Sequence, residues 1–491
     1  MSGAARAAVA VLLAAALAGC SLAPEYRRPA TATPAAYKES ADQAVPGWKP
    51  ATPAAELPKG AWWTIFGDGD LDALEDQVTA ANQDLQAAVA RFAQARAAAD
   101  YARADYFPQV TANASSQRTQ HSKNAALKFQ PYVYSDHLLA ADLSYEIDVW
   151  GRVRNSVAAA RDRAEASGAD LAAVDLALHA ELATDYFALR GYDTQQIVLD
   201  HTVAAYERAL QVTLNRYKGG AAAEADVDQA QTQLETARTQ AHDVHLKRLQ
   251  MEHAVAILVG QPPAQFSVKP AVLQGAAPAV EPGMPSALLE RRPDIAAAER
   301  QVAAANAEIG VARAAYYPQF DLSAMMGLDS AAPGKWIEAP SRIWGIGPQA
   351  AAILFDGGRL DAMNANARAA YDETVANYRQ TVLTAFGEVE DNLAALRQLA
   401  QEAQTQDAAL AAARRALDQA NKRYAGGLVT YLEVVSTENV ALSAQLSAVN
   451  ILTRRMTASV LLAKALGGGW TAADDLALDR AVPKEAADSP M

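Results

Sequence analysis

The chain says the same thing twice. Arg103-Ala-Asp-Tyr-Phe-Pro108-Gln109 returns as Arg313-Ala-Ala-Tyr-Tyr-Pro318-Gln319. Asp148-Val-Trp-Gly151-Arg152 returns as Phe355-Asp356-Gly357-Gly358-Arg359, and Arg216-Tyr217-Lys218-Gly219-Gly220 as Arg423-Tyr424-Ala425-Gly426-Gly427. The offset stays near 207 to 210 residues, so order and spacing are both kept. That is the signature of a tandem duplication of one long supersecondary unit. Whatever the chain folds into, it must use that unit twice.

Within each copy the pattern reads helix, strand, strand, helix, helix. Pro108 and Pro318 end the first helices, which start near Leu71 and Pro293. Leu139, Ala141, Leu143, Tyr145, Ile147 and Val149 then alternate with Asp142, Ser144, Glu146 and Asp148, a period of two over the length of a transmembrane strand. In the second copy Phe320, Leu322, Ala324, Met326 and Leu328 alternate with Asp321, Ser323 and Gly327. The stretch from Trp344 to Leu354 alternates more weakly, and Pro348 within it predicts a bulge. Uninterrupted helical patterns follow over 152–217 and 359–424, then over 223–259 and 429–466. At about 1.5 Å per residue the first pair would each run roughly 100 Å, and the shorter helices roughly 55 Å. Helices of that length make a tube or a coiled coil, not a globular core. Four strands, meanwhile, cannot close a barrel, and an open sheet edge is not tolerated in lipid. Several copies must therefore share one barrel. Three would give twelve strands and a lumen.

The boundaries that follow are a signal peptide over 1–19, an extended N-terminal segment over 20–66, repeat one over 67–260, a Pro/Gly-rich connector over 261–287, repeat two over 288–468 and a tail over 469–491. The fold class is α+β, a β-barrel that takes four strands from each chain and is continued by a long helical barrel; the resemblance set out below implies that it is a trimer in the outer membrane. Cys20 is the only cysteine, so an intrachain disulfide is excluded. It closes Leu17-Ala18-Gly19-Cys20 behind Arg6 and a short apolar run, which reads as a lipobox with acylation at Cys20. That lipid is the only group attached; no cofactor is expected. After the signal no run of 18 apolar residues occurs, so any membrane crossing is made with strands. The formal net charge of -13 leaves no basic stripe for nucleic acid.

On these stretches the chain resembles the outer-membrane efflux factors, the TolC/OprM class, and in particular its NodT-type lipoproteins. The resemblance is carried by Cys20 to Pro29, Trp63 to Leu74, Asn82-Gln-Asp84-Leu85, Arg291-Arg-Pro293-Asp294-Ile295 and the two Arg-Tyr-x-x-Gly turns. It implies a homotrimer in outer-membrane lipid, docked to a periplasmic adaptor (membrane fusion protein) and an inner-membrane pump of the RND type. It implies that Arg216, Tyr217, Gly220, Arg423, Tyr424 and Gly427 lie at a periplasmic tip. Asp226 and Tyr424 match positions of the family's tip gate, and Glu433 is the counterpart of Asp226. The family's basic residue is missing, because Val429 stands there. A closed tip would then rest on hydrophobic contacts or on other charges.

If the apolar stripe faces lipid, Asp142, Glu146, Asp148 and Asp321 face the lumen and favour cations. No nucleophile elbow or P-loop occurs. Gly345-Ile-Gly347 precedes a strand and is not a dinucleotide turn, and His242, His245 and His253 complete no metal set. The function expected is a passive exit duct for small molecules, not an enzyme. The alternatives are the duct of a type I protein exporter and a non-conducting periplasmic coiled-coil lipoprotein.

Overall fold

The structure is a computed structural model, and it describes residues 21–40, 60–124, 126, 133–278, 280 and 285–470. Cys20, the signal segment before it and the tail beyond Trp470 lie outside the described residues. Helices α1 (Gly69–Ala81) and α2 (Gln83–Ala104) lead into strands β1 (Gln109–Gln120) and β2 (Val133–Glu146), then α3 (Arg152–Lys218) and α4 (Glu224–Leu258). The second copy gives α5 (Pro285–Arg291), α6 (Pro293–Ala314), β3 (Gln319–Ser330), β4 (Arg342–Ala351), α7 (Arg359–Ala425) and α8 (Tyr431–Ala465). The copies agree in length. α2 and α6 have 22 residues each, β1 and β3 have 12, α3 and α7 have 67, and α4 and α8 have 35.

The compact units cut across the copies. One unit takes Met1–Ala30, Arg91–Ser167 and Ala297–Arg379; the other takes Thr31–Ala90, Gly168–Ala296 and Gln380–Met491. Each copy contributes to both, because helices as long as α3 and α7 pass through more than one packed body.

In the first unit the strands form one antiparallel sheet in the order β1-β2-β3-β4. β1 and β4 each have a single partner, so the sheet has two open edges within the chain. A Cβ on Gly327 would lie 2.4 Å from the Leu139 carbonyl oxygen, so only glycine allows β2 and β3 to approach there. Two sequence expectations change. Pro348 makes no bulge: it pairs with Leu322, Gly347 with Ser323, and the ladder continues. β4 is the terminal strand, where a residue without an N–H is tolerated. β2 also ends at Glu146, and one further bond, Ile147 N to the Phe320 carbonyl at 2.7 Å, closes its pairing with β3 short of Val149. Beneath the sheet, small residues such as Ala159, Ala166, Ala303 and Ala304 are buried with Val302 and Ile309, which lets helix backbones pack closely. Residues 21–26 lie against α3 and α6: Ser21 donates to Asn155 at 3.0 Å, Asn306 donates to the Pro24 carbonyl at 2.9 Å, and the Tyr26 hydroxyl donates to Glu299.

In the second unit α1 begins because Asp68 accepts from the Asp70 and Leu71 amides at 3.0 and 3.2 Å. The sequence reading ran one helix from Leu71 to Tyr106; the structure divides it at Asn82. The Asn82 side chain accepts from Leu85 N at 2.9 Å, capping α2, and donates to the Leu258 carbonyl at 2.8 Å, tying down the end of α4. Leu71, Val78, Leu182, Tyr186, Val255 and Leu462 are fully buried in this unit, and Leu199 packs with Ala241 and Val244. Arg248 and Arg190 are also buried, sharing Asp193 at 2.8 and 3.3 Å.

Candidate channel face and tip

Directly paired residues in an antiparallel sheet share a face, so the register sorts every side chain. Val110, Leu143, Ala324 and Ile346 form one row; Ala112, Ala141, Met326 and Trp344 form the next. The opposite face carries Gln109, Ser144, Ser323 and Gly347, then Thr111, Asp142 and Met325. The alternation seen in β2 thus extends through all four strands. On the apolar face Trp344 is 77 % exposed, Met326 72 %, Ile346 68 % and Val110 66 %. A continuous apolar sheet face of that kind is stable against lipid and not against water. At the helix end of the strands Tyr106, Phe107, Tyr316, Tyr317 and Phe355 are exposed, the residue class enriched where a barrel meets the membrane interface. Trp150 stacks on Tyr317 with ring centres 4.7 Å apart and donates to the Pro318 carbonyl at 2.8 Å.

The four acids expected on the polar face have different fates. Asp142 and Asp321 are there, Asp142 accepting from Asn113 at 2.5 Å and Asp321 from Gln319 at 3.3 Å. Neither has an ion-pair partner among the described residues. Glu146 shares the face, opposite Asp321, but is gripped by Arg152 through two bonds of 2.8 and 2.5 Å. Asp148 is not in the strand at all. It accepts from Val153 N and Arg154 N at 3.1 and 2.9 Å, capping α3, because the chain turns at Gly151 and leaves those amides otherwise unpaired. Sequence reading missed Asp136, which the same even-numbered spacing places on the polar face beside Tyr134 and Leu138, and Asp329, which pairs with Leu138. Extending the alternation outward from Ala140 and Gly327 would have found both.

The two tip turns are near copies. Gly220 and Gly427 have φ of 73° and 72°, the left-handed region that favours glycine. Ala221 N reaches the Arg216 carbonyl at 2.8 Å and Gly220 N the Tyr217 carbonyl at 2.9 Å; Leu428 and Gly427 repeat both bonds to Arg423 and Tyr424 at 3.0 Å. This is the double closure of a Schellman turn. The Arg216 guanidinium lies 4.8 Å from the Tyr424 ring centre, joining the first turn to the second. Arg423 pairs with Glu433 at 2.6 Å. Tyr217 stays exposed, and within the chain Asp226 accepts from Ala223 N at 3.1 Å, a local cap. The arginines of the two turns make the charged contacts among the described residues, and Val429 supplies no cation. Sequence reading also missed the apolar clasp beneath, where Tyr431, Val434 and Val435 bury against Ala230 and Ala420, with Leu210 and Tyr424 alongside. The i, i+3, i+4 spacing of Tyr431, Val434 and Val435 was its visible signal.

A membrane-facing sheet joined in each copy to very long helices defines an outer-membrane channel protein with a periplasmic helical extension. The family model for outer membrane efflux proteins matches residues 74–261 and 284–468, and the chain belongs to that family. It is 31 % identical to the outer membrane protein OprJ of Pseudomonas aeruginosa over 96 % of this chain and 97 % of OprJ. It is 32 % identical to OpmQ of the same organism, a pyoverdine export outer membrane protein, over 83 % of this chain and 87 % of that one. Among solved structures it is similar to the outer membrane channel CmeC of Campylobacter jejuni, with a TM-score of 0.87, 25 % identity and coverage of 94 % and 98 %. The chain is the outer-membrane component of an efflux system, and its family is one of transport ducts.

Proposed function

We propose that three copies close one twelve-stranded barrel, each lending the four strands of its sheet, and that this homotrimer is the passive exit duct for small molecules driven by an inner-membrane pump. The observation that carries the reading is the sheet itself. It has an apolar face exposed along its length, a polar face opposite, and two unpaired edges. Closure with copies satisfies those edges and gives the apolar face to lipid and the polar face to water. Helices of 67 residues would rise roughly 100 Å, enough for a tunnel beyond the membrane. Acylation at Cys20 would add a lipid anchor to the barrel. The tip turns are the surface for a periplasmic adaptor, and the Arg216–Tyr424 and Arg423–Glu433 contacts hold the constriction there. The pump is read as RND type. OpmQ is named for pyoverdine export and the similar protein SrpC of Pseudomonas putida for solvent efflux, both classes of small molecule.

The test is the mass of the detergent-purified protein together with its conductance in planar bilayers. Three chains per particle and discrete conductance steps are expected. A monodisperse monomer, or a trimer that carries no current with its tip contacts removed by Arg216→Ala and Glu433→Gln, refutes the duct.

A further inference from the structure

Two buried ionisable side chains of the second unit take no part in the sheet or the tip. Glu75 on α1 is 0 % exposed and His179 on α3 is 2 % exposed. His179 Nδ1 lies 2.6 Å from a Glu75 oxygen; its Nε2 lies 3.4 Å from Asp175 and 3.3 Å from the Thr79 hydroxyl. Trp63 stacks on the imidazole at 4.3 Å, the planes 17° apart. Each ring nitrogen therefore faces a carboxylate, and an ionised carboxylate only accepts. A neutral ring that donates from Nδ1 to Glu75 can accept the Thr79 hydroxyl at Nε2 but leaves that nitrogen opposed lone pair to lone pair with Asp175; only the imidazolium donates to both carboxylates. The indole face beneath it also favours a cation. The charged groups turned toward the ring are all acids: Asp175 from its own helix and Glu75 from α1, with Asp72 acting on Glu75 from behind.

We propose that His179 is a proton-operated staple. As imidazolium it holds α1 and the Trp62–Trp63 turn on α3, and its deprotonation in alkaline surroundings lets the Glu75 end of α1 lift. Burial pulls the ring's pKa down, but the hydrogen bonds and charges of Asp175 and Glu75 outweigh it and hold it up to about 9. Its stabilisation is complete below the ordinary value of 6.5 and is lost as pH rises through 9. Deprotonation leaves the Glu75 carboxylate fully buried with no cation, one of its oxygens already lacking a partner. Relief comes from that end alone. The start of α1 stays fixed by Tyr186 to Asp68 at 2.7 Å and Arg190 to Asp70 at 2.9 Å, and Arg190 does not titrate in this range.

The test is hydrogen exchange of peptides from residues 62–81 in the full chain in detergent, from pH 6 to 10, each rate divided by that of an unstructured amide. The opening constant is expected to rise by up to tenfold per pH unit between about pH 6.5 and 9 and to level off above that, as one-proton linkage requires. Asp175→Asn, a half-exposed position, brings the levelling-off to lower pH, and His179→Gln abolishes the rise above about pH 7. A flat wild-type profile, or the same rise in His179→Gln, overturns the proposal. Should His179→Gln not fold, Trp63 decides. A stacked imidazolium quenches excited indole by accepting an electron, so the emission difference between wild type and Trp63→Phe must grow with a midpoint near pH 9 and shift in Asp175→Asn. No growth overturns the staple.

Discussion

Asp142→Asn tests the duct electrically. Asp142 sits mid-strand on the polar face with Asn113 as its hydrogen-bond donor and no cation paired to it among the described residues. In a trimer it becomes a ring of three carboxylates. With roughly 10 Å from wall to axis in a twelve-stranded barrel, one such charge in water is worth about 0.4 kcal/mol to a monovalent cation on the axis, and three about 1.2 kcal/mol before screening. A Debye length of about 10 Å at 0.1 M salt leaves about 0.4 kcal/mol, and one of about 30 Å at 0.01 M leaves about 0.9 kcal/mol. The substitution should therefore lower cation occupancy about twofold at 0.1 M and about fourfold at 0.01 M, with opposite effects on anions. Reversal potentials across planar bilayers under a potassium chloride gradient read the change. Identical potentials for wild type and variant at both salts would remove Asp142 from the lumen. An effect that fails to grow at low salt would show that charge is not its cause. Glu146→Gln makes a useful contrast. It shifts selectivity in the same direction, yet it also strips Arg152 of its two-bonded partner and should cost about 1–2 kcal/mol of stability, which Asp142→Asn does not.

Asn82→Ala removes the α2 cap and leaves the Leu258 carbonyl without its donor; chemical denaturation should show a loss of about 1–3 kcal/mol, with exchange rising first at residues 83–86. Tyr431→Ala empties the clasp under the tip turns and should weaken local protection there by about 3–5 kcal/mol, seen as faster exchange in peptides covering both turns while the sheet is unaffected. Burial pushes the carboxyls of Glu75 and Glu438 up to about 7 and, with help from the charge of Glu181, that of Asp185 up to about 6. Each holds its proton longer folded than unfolded, so each contributes stability at low pH that is lost as pH rises toward those values. The unfolding midpoint should fall from pH 5 to pH 8, and Glu438→Gln should flatten part of that slope; a midpoint that rises over this range contradicts the assignment.

What was legible in the sequence, and what was not, divides along a physical line. Element type and length follow from local periodicity, and the duplication checked every reading twice, which is why α3 and α7 or β1 and β3 emerge at matching lengths. The faces of β2 were also legible, because period two needs no knowledge of the partner strand. Asn82 was not. In a helical pattern an asparagine is a weak negative, and it becomes a break only because the Leu258 carbonyl, 176 residues away, needs its amide. Asp148 was misread for a related reason. Period two continues numerically past Glu146, but the amides of Val153 and Arg154 compete for the carboxylate and win.

The tip shows the same limit in a functional setting. Likeness pointed to Asp226 and to an absent cation at Val429, both judged position by position. Within one chain Asp226 caps its own helix, Arg216 crosses to Tyr424 and Arg423 pairs with Glu433. A guanidinium on a long side chain can serve a contact from several backbone positions, so losing a cation at one residue need not remove it from the tip. What the repeat preserves is the arginine that opens each turn, Arg216 and Arg423. If these turns hold the constriction as proposed, Arg216→Ala alone should loosen it less than Arg216→Ala combined with Glu433→Gln, and a double variant no leakier than a single variant that is still partly closed would show that the two contacts do not share the load.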